Sequence, residues 1–144
     1  MEKTWEIAVS LSAWDETRDE MFQVMKSFGI SSSEANSYLV GVEEAAVNII
    51  QYAYPSSESS FVFWVKLETI ACEAGKIKVE CTLTDCGIPF DPTNREGKTP
   101  GSPGAYKEAG GWGIQMIKSK VDTMVYKRID EKNVLILNKT MEAK

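Results

Sequence analysis

The chain has 144 residues, enough for one domain with a substantial core. Hydrophobic residues make up 43% and charged residues 26% of the sequence, which is typical of a globular protein and excludes an intrinsically disordered one. The net charge of −5 argues against duplex nucleic acid or an anionic membrane as the main partner.

No apolar segment approaches the ~20 residues of a membrane span, and the acidic, tryptophan-containing start is unlike a signal peptide. We therefore expect a cytoplasmic protein. The absence of histidine excludes Ser-His-Asp and Cys-His catalysis, and also phosphohistidine on this chain. The cysteines Cys72, Cys81 and Cys86 lack metal-site spacing, so we interpret them as buried or incidental thiols.

The first part of the chain predicts one strand followed by two helices. Residues 4–11 alternate between apolar and polar, which indicates a half-buried strand. Apolar residues then recur at helical spacing over residues 15–28. Ser31 and Glu34 have the spacing of a capping box, which predicts a second helix that runs to about residue 54, before a proline.

The second part predicts two hairpins separated by a long loop and a helix. The loop is a stretch of about 25 residues with almost no periodicity, typical of a lid or a binding loop. The order β-α-α-β-β-loop-α-β-β predicts an α+β two-layer sandwich, in which a mixed, mostly antiparallel sheet is covered on one face by about three helices. No repeat or linker divides residues 1–144, which predicts a single domain. The segments are 61–70 and 76–85 (first hairpin), 112–121 (helix), and 123–129 and 133–141 (second hairpin).

The second helix carries two polar residues one turn apart, Glu44 and Asn48. At about 100° per residue they form a stripe with apolar residues on both edges, whereas Tyr38, Ile49 and Tyr52 belong to the apolar face. An unpaired carboxylate in such a partly enclosed place costs several kcal/mol. The stripe is therefore either a solvated or internally paired edge, or a carboxylate and an amide directed at a ligand or cation. Spacing alone does not decide between them.

Two further segments are candidates for ligand binding. "DCGIPFD" follows a predicted strand and places Asp85 and Gly87 at its end, either as an acceptor beside an adaptable backbone or as an ordinary turn. The glycines Gly110, Gly111 and Gly113 open a predicted helix, where bare backbone N–H groups favour phosphate. The alternative interpretation of the glycines is a flexible hinge.

Together these segments resemble the N, G1 and G2 boxes of the GHKL (Bergerat-fold) ATPases. The matching motifs are Glu-x-x-x-Asn-x-x-x-x-Ala-Tyr, Asp-x-Gly-x-Pro-Phe-Asp and Gly-Gly-x-Gly, in that order. The short length and the C-terminal "VDTMVYKR…KNVLILNK" are most similar to the anti-sigma-factor serine/threonine kinases. The resemblance runs from about Trp5 to Lys139. It implies the Bergerat ATP-binding fold, ATP and Mg²⁺ as cofactors, and an ATP lid at about residues 93–109.

The resemblance also implies roles for individual residues. Asn48 would give its side-chain oxygen to Mg²⁺, a hard cation that also takes phosphate oxygens. Asp85 would accept a hydrogen bond from the adenine amino group, and Gly87 would let the backbone close against the ring. The glycines that would hold the phosphates are Gly110, Gly111 and Gly113.

Glu44 would be the catalytic base that orients a hydroxyl nucleophile. Glu43 precedes it, but the four-residue spacing to Asn48 favours Glu44. Relatives often carry a threonine near the adenine at the start of the last strand, and the best match here is Asn133 or Val134.

The function that the resemblance implies is a serine/threonine protein kinase that uses ATP·Mg²⁺. It would phosphorylate a small anti-sigma-factor antagonist and sequester a sigma factor, and it would form a homodimer near the first strand. We expect no direct contact with nucleic acid or membrane. The alternatives are a non-catalytic, ATP-dependent interaction switch of the same fold and an α+β binding domain without nucleotide.

Overall fold

The computed structural model describes residues 1–54, 61–94 and 111–143. Its five strands form one sheet in the order β1-β2-β3-β5-β4, and three α-helices accompany the sheet. This confirms the predicted α+β architecture, although all four strand pairings are antiparallel rather than mixed. The elements are β1 (Glu2–Ala8), α1 (Leu11–Ser27), α2 (Ser32–Asn48), a π-helical turn (Ile49–Ala53), β2 (Val62–Ala71), β3 (Lys76–Asp85), α3 (Gly111–Lys120), β4 (Thr123–Ile129) and β5 (Lys132–Glu142).

The first helix begins earlier than the apolar periodicity predicts. Ser10 has extended backbone angles, and its side chain accepts a hydrogen bond of 3.1 Å from the N–H of Ala13, so it is the N-cap. The predicted start at residue 15 missed this cap because the first turn of α1 is mostly exposed. None of the described helices is both long and apolar enough to cross a membrane.

Helix α2 begins where the capping signal predicts and ends earlier than expected. The Ser31 side chain accepts from the N–H of Glu34 at 3.1 Å, as the predicted cap requires. The regular helix stops at Asn48, and a π-helical turn continues to Ala53. A π turn holds more residues than an α turn and rotates the side chains that follow it. Consequently Tyr52, predicted on the apolar face, is 45% exposed.

One face of the sheet carries the hydrophobic core. Alternate residues of β2, among them Phe63 and Leu67, are fully buried, and the helices supply Trp14 and Tyr38 to the same core. The buried Tyr38 hydroxyl donates to the carbonyl oxygen of Leu137 on β5 at 2.7 Å. Helix α2 is therefore fixed over the centre of the sheet.

The register between β3 and β5 determines which polar residues meet at the edge of this core. Cys81 lies opposite Leu137 in the middle of the pair, which brings Asp85 at the end of β3 opposite Asn133 near the start of β5. Both side chains are buried. A polar pair is thus enclosed at the end of the sheet that lies beneath the end of α2.

Candidate functional site

A cleft opens between the C-terminal part of α2 and the neighbouring ends of β3 and β5. It contains about 730 Å³ of unfilled space, which includes its open mouth. Its walls are mainly apolar, which suits a flat heterocycle. Its polar groups come from Asn48, Asp85, Tyr126 and Asn133. The apolar lining is contributed by Ala45, Ile49, Ala53, Ile88, Pro89, Phe90, Pro92, Ile117 and Leu135, together with Tyr52 of the π turn.

Asp85 is a buried hydrogen-bond acceptor in this cleft, with a side chain that is only 4% exposed. Its Oδ1 accepts two hydrogen bonds of 2.9 Å, from the N–H of Gly87 and from Nδ2 of Asn133. Burial raises the pKa of Asp85, while these two bonds and the charge of Arg128 lower it. Both bonds end on Oδ1, and among the residues that the structure describes none donates to Oδ2.

Gly87 allows the turn after β3 to approach the end of the π turn closely. A Cβ added there would overlap the carbonyl oxygen of Ala53 and lie 2.6 Å from the Ala53 Cβ. The N–H of Ile88 donates to the same carbonyl at 3.0 Å, and Arg128 donates to the carbonyl of Gly87 at 2.9 Å. Any larger residue would separate the two walls of the cleft.

Glu44 and Asn48 meet the start of α3 on the helical side. A Cβ added to Gly113 would lie 2.9 Å from Oε2 of Glu44 and 3.7 Å from Nδ2 of Asn48. Glu44 is half-buried, and this burial raises the pKa of its carboxyl, with a smaller contribution from the charge of Glu43. A raised pKa makes the carboxylate a stronger base, which suits it to accept a proton.

The two adjacent glutamates have different surroundings. Trp14 donates from its indole N–H to Oε1 of Glu43 at 3.2 Å, and Arg18 lies 3.9 Å from the other oxygen of Glu43. Glu43 is therefore held by α1. In the parts of the chain that the structure describes, no hydrogen bond or ion pair engages the carboxylate of Glu44. This geometry favours Glu44 over Glu43 as the group available to a ligand.

The structure brings most of the predicted site residues into one region. Asn48 and Asp85 line the same cleft, Gly87 lies between its walls, and Gly113 lies beside Glu44. Gly111 is the first residue of α3. Gly110 and residues 95–109 of the predicted lid lie outside the described residues. The roles assigned to these residues remain predictions.

Sequence reasoning missed two tyrosines that organise the cleft. The Tyr54 hydroxyl donates to the carbonyl of Val62 at 2.9 Å and accepts from the N–H of Cys86 at 2.7 Å, which links the end of the π turn to β2 and to the turn after β3. Tyr126 lines the cleft and hydrogen-bonds Asn133. Tyr54 ends the Ala-Tyr of the N-box motif, whereas no signal in the sequence pointed to Tyr126.

Comparisons with known proteins agree with this architecture. The cleft between α2 and the ends of β3 and β5 belongs to an α+β sandwich of the GHKL ATPase class. Residues 7–139 match the histidine kinase-like ATPase domain family, and the chain belongs to this family. Family membership implies that the chain binds ATP. No curated protein sequence matches the chain.

A solved structure shows the same fold. The chain is similar to the crystal structure of the RsbU and RsbW domains of Rv1364c from Mycobacterium tuberculosis, with a TM-score of 0.65 and 13% sequence identity. The match covers 100% of this chain and 34% of that one, so this chain spans about a third of the length of the protein it matches. The likeness confirms the predicted Bergerat fold.

Proposed function

We propose that this protein is an ATP-dependent serine/threonine protein kinase of the anti-sigma-factor type. Its substrate is a serine or threonine of a small anti-sigma-factor antagonist, and it also sequesters a sigma factor. The observation that carries the proposal is the half-buried carboxylate of Glu44, which lies beside Gly113 at the start of α3 and has no hydrogen-bond or ion-pair partner among the described residues. The similarity to a chain with an RsbW domain supports this choice among histidine kinase-like ATPases.

The residues of the cleft fit a purine nucleotide. Asp85 supplies a buried acceptor for an exocyclic amino group, and the apolar walls, such as Ile49 and Phe90, suit the faces of the base. The glycines at the start of α3 suit the phosphates, because helix N-terminal N–H groups attract anions. The predicted lid over residues 93–109 would cover the phosphates in the single domain that we propose.

Asn48 fits a Mg²⁺ that is held largely by the nucleotide. Its amide lines the cleft one helical turn from Glu44, and no described residue hydrogen-bonds it. No cluster of three or more acidic, cysteine or histidine side chains within residues 1–54, 61–94 and 111–143 could hold a metal alone. One amide oxygen together with phosphate oxygens is a typical Mg²⁺ environment. The bound cation would neutralise charge on the transferred phosphoryl group.

Glu44 performs the proton chemistry in this proposal. Its carboxylate orients the hydroxyl of the partner's serine or threonine and accepts the hydroxyl proton as that oxygen bonds to the γ-phosphorus. The bond between the γ-phosphorus and the bridging oxygen breaks in the same step, and ADP leaves with that oxygen. Asp85 at the base and the start of α3 at the phosphates hold the nucleotide in line with that hydroxyl. Positioning and charge neutralisation carry most of the catalysis in phosphoryl transfer, so few catalytic side chains are needed.

The partners in this proposal are proteins. Strand β1 is at the edge of the sheet, so it is available to form the homodimer that the resemblance implies. We place the protein in the cytoplasm, where sigma factors act, and assign it no direct contact with nucleic acid or membrane.

The test is phosphoryl transfer to a candidate antagonist encoded near the gene of this protein. Purified kinase, γ-labelled ATP, Mg²⁺ and the antagonist should give label on a serine or threonine of the antagonist. The chain itself cannot form phosphohistidine because it contains no histidine. An antagonist whose phosphoacceptor is replaced by alanine is the matched control and should remain unlabelled. Tight binding of ATP and antagonist without any transfer would instead identify a nucleotide-dependent interaction switch.

A further inference from the structure

Asn133 has an unusually complete set of hydrogen bonds for a buried side chain. It is 5% exposed and lines the cleft. Its Nδ2 donates to Oδ1 of Asp85 at 2.9 Å and to the carbonyl of Ile88 at 2.7 Å. Its Oδ1 accepts from the N–H of Phe90 at 3.3 Å and from the hydroxyl of Tyr126. All four hydrogen-bonding positions of the amide are therefore used.

Two of these partners fix the orientation of the amide. The N–H of Phe90 can only donate, and the carbonyl of Ile88 can only accept. The Asn133 oxygen must therefore face Phe90, and its nitrogen must face Ile88. In that orientation the second N–H of the amide points at Asp85, which has to act as an acceptor.

We propose that Asn133 is a positioning residue for recognition of the base, which holds Oδ1 of Asp85 so that Oδ2 is kept for the 6-amino group of a purine. The N–H of Gly87 occupies the same Oδ1, so the bonds from both sides fix the plane of the carboxylate. Asn133 also bonds the backbone of Ile88 and Phe90, and thereby ties the cleft wall to the carboxylate. The inference rests on the proposed nucleotide site and adds the source of its selectivity.

The test compares two nucleotides that differ at one group. Titration calorimetry with Mg²⁺ measures the Kd of ATP and of purine riboside triphosphate, which lacks the 6-amino group. The wild type should prefer ATP. In Asn133→Ala the Kd of ATP should rise about tenfold, as expected for a lost hydrogen bond to a charged group, while the Kd of the analogue changes less than about twofold. The preference for ATP then falls by about the same tenfold factor.

Asn138→Ala is the matched control. Asn138 lies on the same strand, five residues further along and thus on the opposite face of the sheet, where its amide donates to Thr123 at 3.1 Å. This variant should bind both nucleotides as the wild type does. A loss of preference in Asn138→Ala equal to that in Asn133→Ala would overturn the proposal.

Asn133→Asp keeps the shape of the side chain and tests the same point if the alanine variant does not fold. It replaces a donor beside Asp85 by a second carboxylate, so the two groups compete for one proton. The preference for ATP should be lost at about pH 8 and partly regained at about pH 6, where the shared proton restores a donor. A preference equal to that of the wild type at the higher pH would overturn the proposal.

Two other outcomes separate this inference from the proposed function. If the alanine variant binds both nucleotides equally weakly, Asn133 has only a structural role and the inference fails, while the ATP site stands. If the wild type binds neither nucleotide, the proposed function itself fails, and the inference fails with it.

Discussion

Gly113 lies so close to Glu44 that a Cβ added to the glycine would sit 2.9 Å from Oε2 of the carboxylate. The next nearest atoms, the Cβ of Glu44 and Nδ2 of Asn48, would be 3.7 Å away, which is an ordinary contact distance. Gly113 is inside α3, where an alanine would favour the helix. The glycine therefore leaves room for the carboxylate, at some cost to the stability of the helix.

Gly113→Ala should increase the stability of the protein and decrease its rate of phosphoryl transfer. The nearest atom is the end of a flexible side chain, so Glu44 can swing aside at little cost. The helix gains up to about 1 kcal/mol in the free energy of unfolding from the better helix former. Displacement of the carboxylate should lower phosphoryl transfer at least about tenfold, because small errors in position cost large factors in rate. Urea denaturation and labelled transfer measure the two effects.

Gly41→Ala is the contrasting control at the same helix contact. Its added Cβ would lie 3.0 Å from the Cβ of Lys120 and 3.7 Å from the Cα of Ile117, atoms that cannot swing away. We expect this variant to lose about 1–3 kcal/mol of stability through overpacking. If Gly113→Ala transfers the phosphoryl group as fast as the wild type, the assignment of Glu44 to the catalytic centre is contradicted.

Glu44→Gln tests the catalytic base directly. The amide keeps the size of the side chain but cannot accept a proton from the hydroxyl, so transfer should fall by about 10²–10⁴ while Mg·ATP affinity stays within a few-fold. Glu43→Gln is the matched control, because its side-chain oxygen can still accept from Trp14 at the position that Glu43 occupies. Loss of transfer in the Glu43 variant with retention in the Glu44 variant would reverse the assignment.

Much of the fold followed from local patterns. Alternation and turn residues placed both hairpins within one or two residues of β2, β3, β4 and β5. The predicted strand put Asp85 at the end of β3 and Gly87 directly after it, as observed. These features depend on residues that are close in sequence, so the apolar alternation and the turn residues are enough to predict them.

The π turn and the hydrogen bonds of Asn133 could not be predicted from local patterns. The π turn at Ile49–Ala53 arises where α2 meets the turn after β3, so contacts distant in sequence override a continuous helical pattern. Asn133 and Asp85 are 48 residues apart, and their pairing depends on the register between β3 and β5. The family resemblance left Asn133 and Val134 as alternatives, whereas of these two residues only Asn133 lines the cleft, as the pleat of β5 requires.

Gly87→Ala should disrupt both the fold and the nucleotide site. Its Cβ would overlap the main chain of Ala53, which cannot move without breaking the bond from Ile88, so the free energy of unfolding should fall by about 1–3 kcal/mol. The N–H that holds Asp85 would shift as well, and ATP affinity should fall with it. Cys86→Ala, at an exposed neighbouring position, preserves the backbone bond to Tyr54 and should change neither quantity. Thermal denaturation measures the stability of both variants, and calorimetry measures their affinity for ATP. Equal stability and equal affinity in the two variants would contradict this prediction.

The raised pKa of Glu44 predicts a pH-dependent effect of its replacement on stability. Burial, assisted by the charge of Glu43, raises this pKa in the folded state above its ordinary value. The folded state therefore holds the proton more tightly than the unfolded state, and the stability that this carboxyl contributes is present at low pH and is lost as the pH rises through the folded pKa. Glu44→Gln does not titrate, so its free energy of unfolding relative to the wild type should increase between about pH 4 and about pH 7. Urea denaturation at the two pH values measures the difference, and a difference that stays constant or decreases would mean that Glu44 is not enclosed as the structure shows.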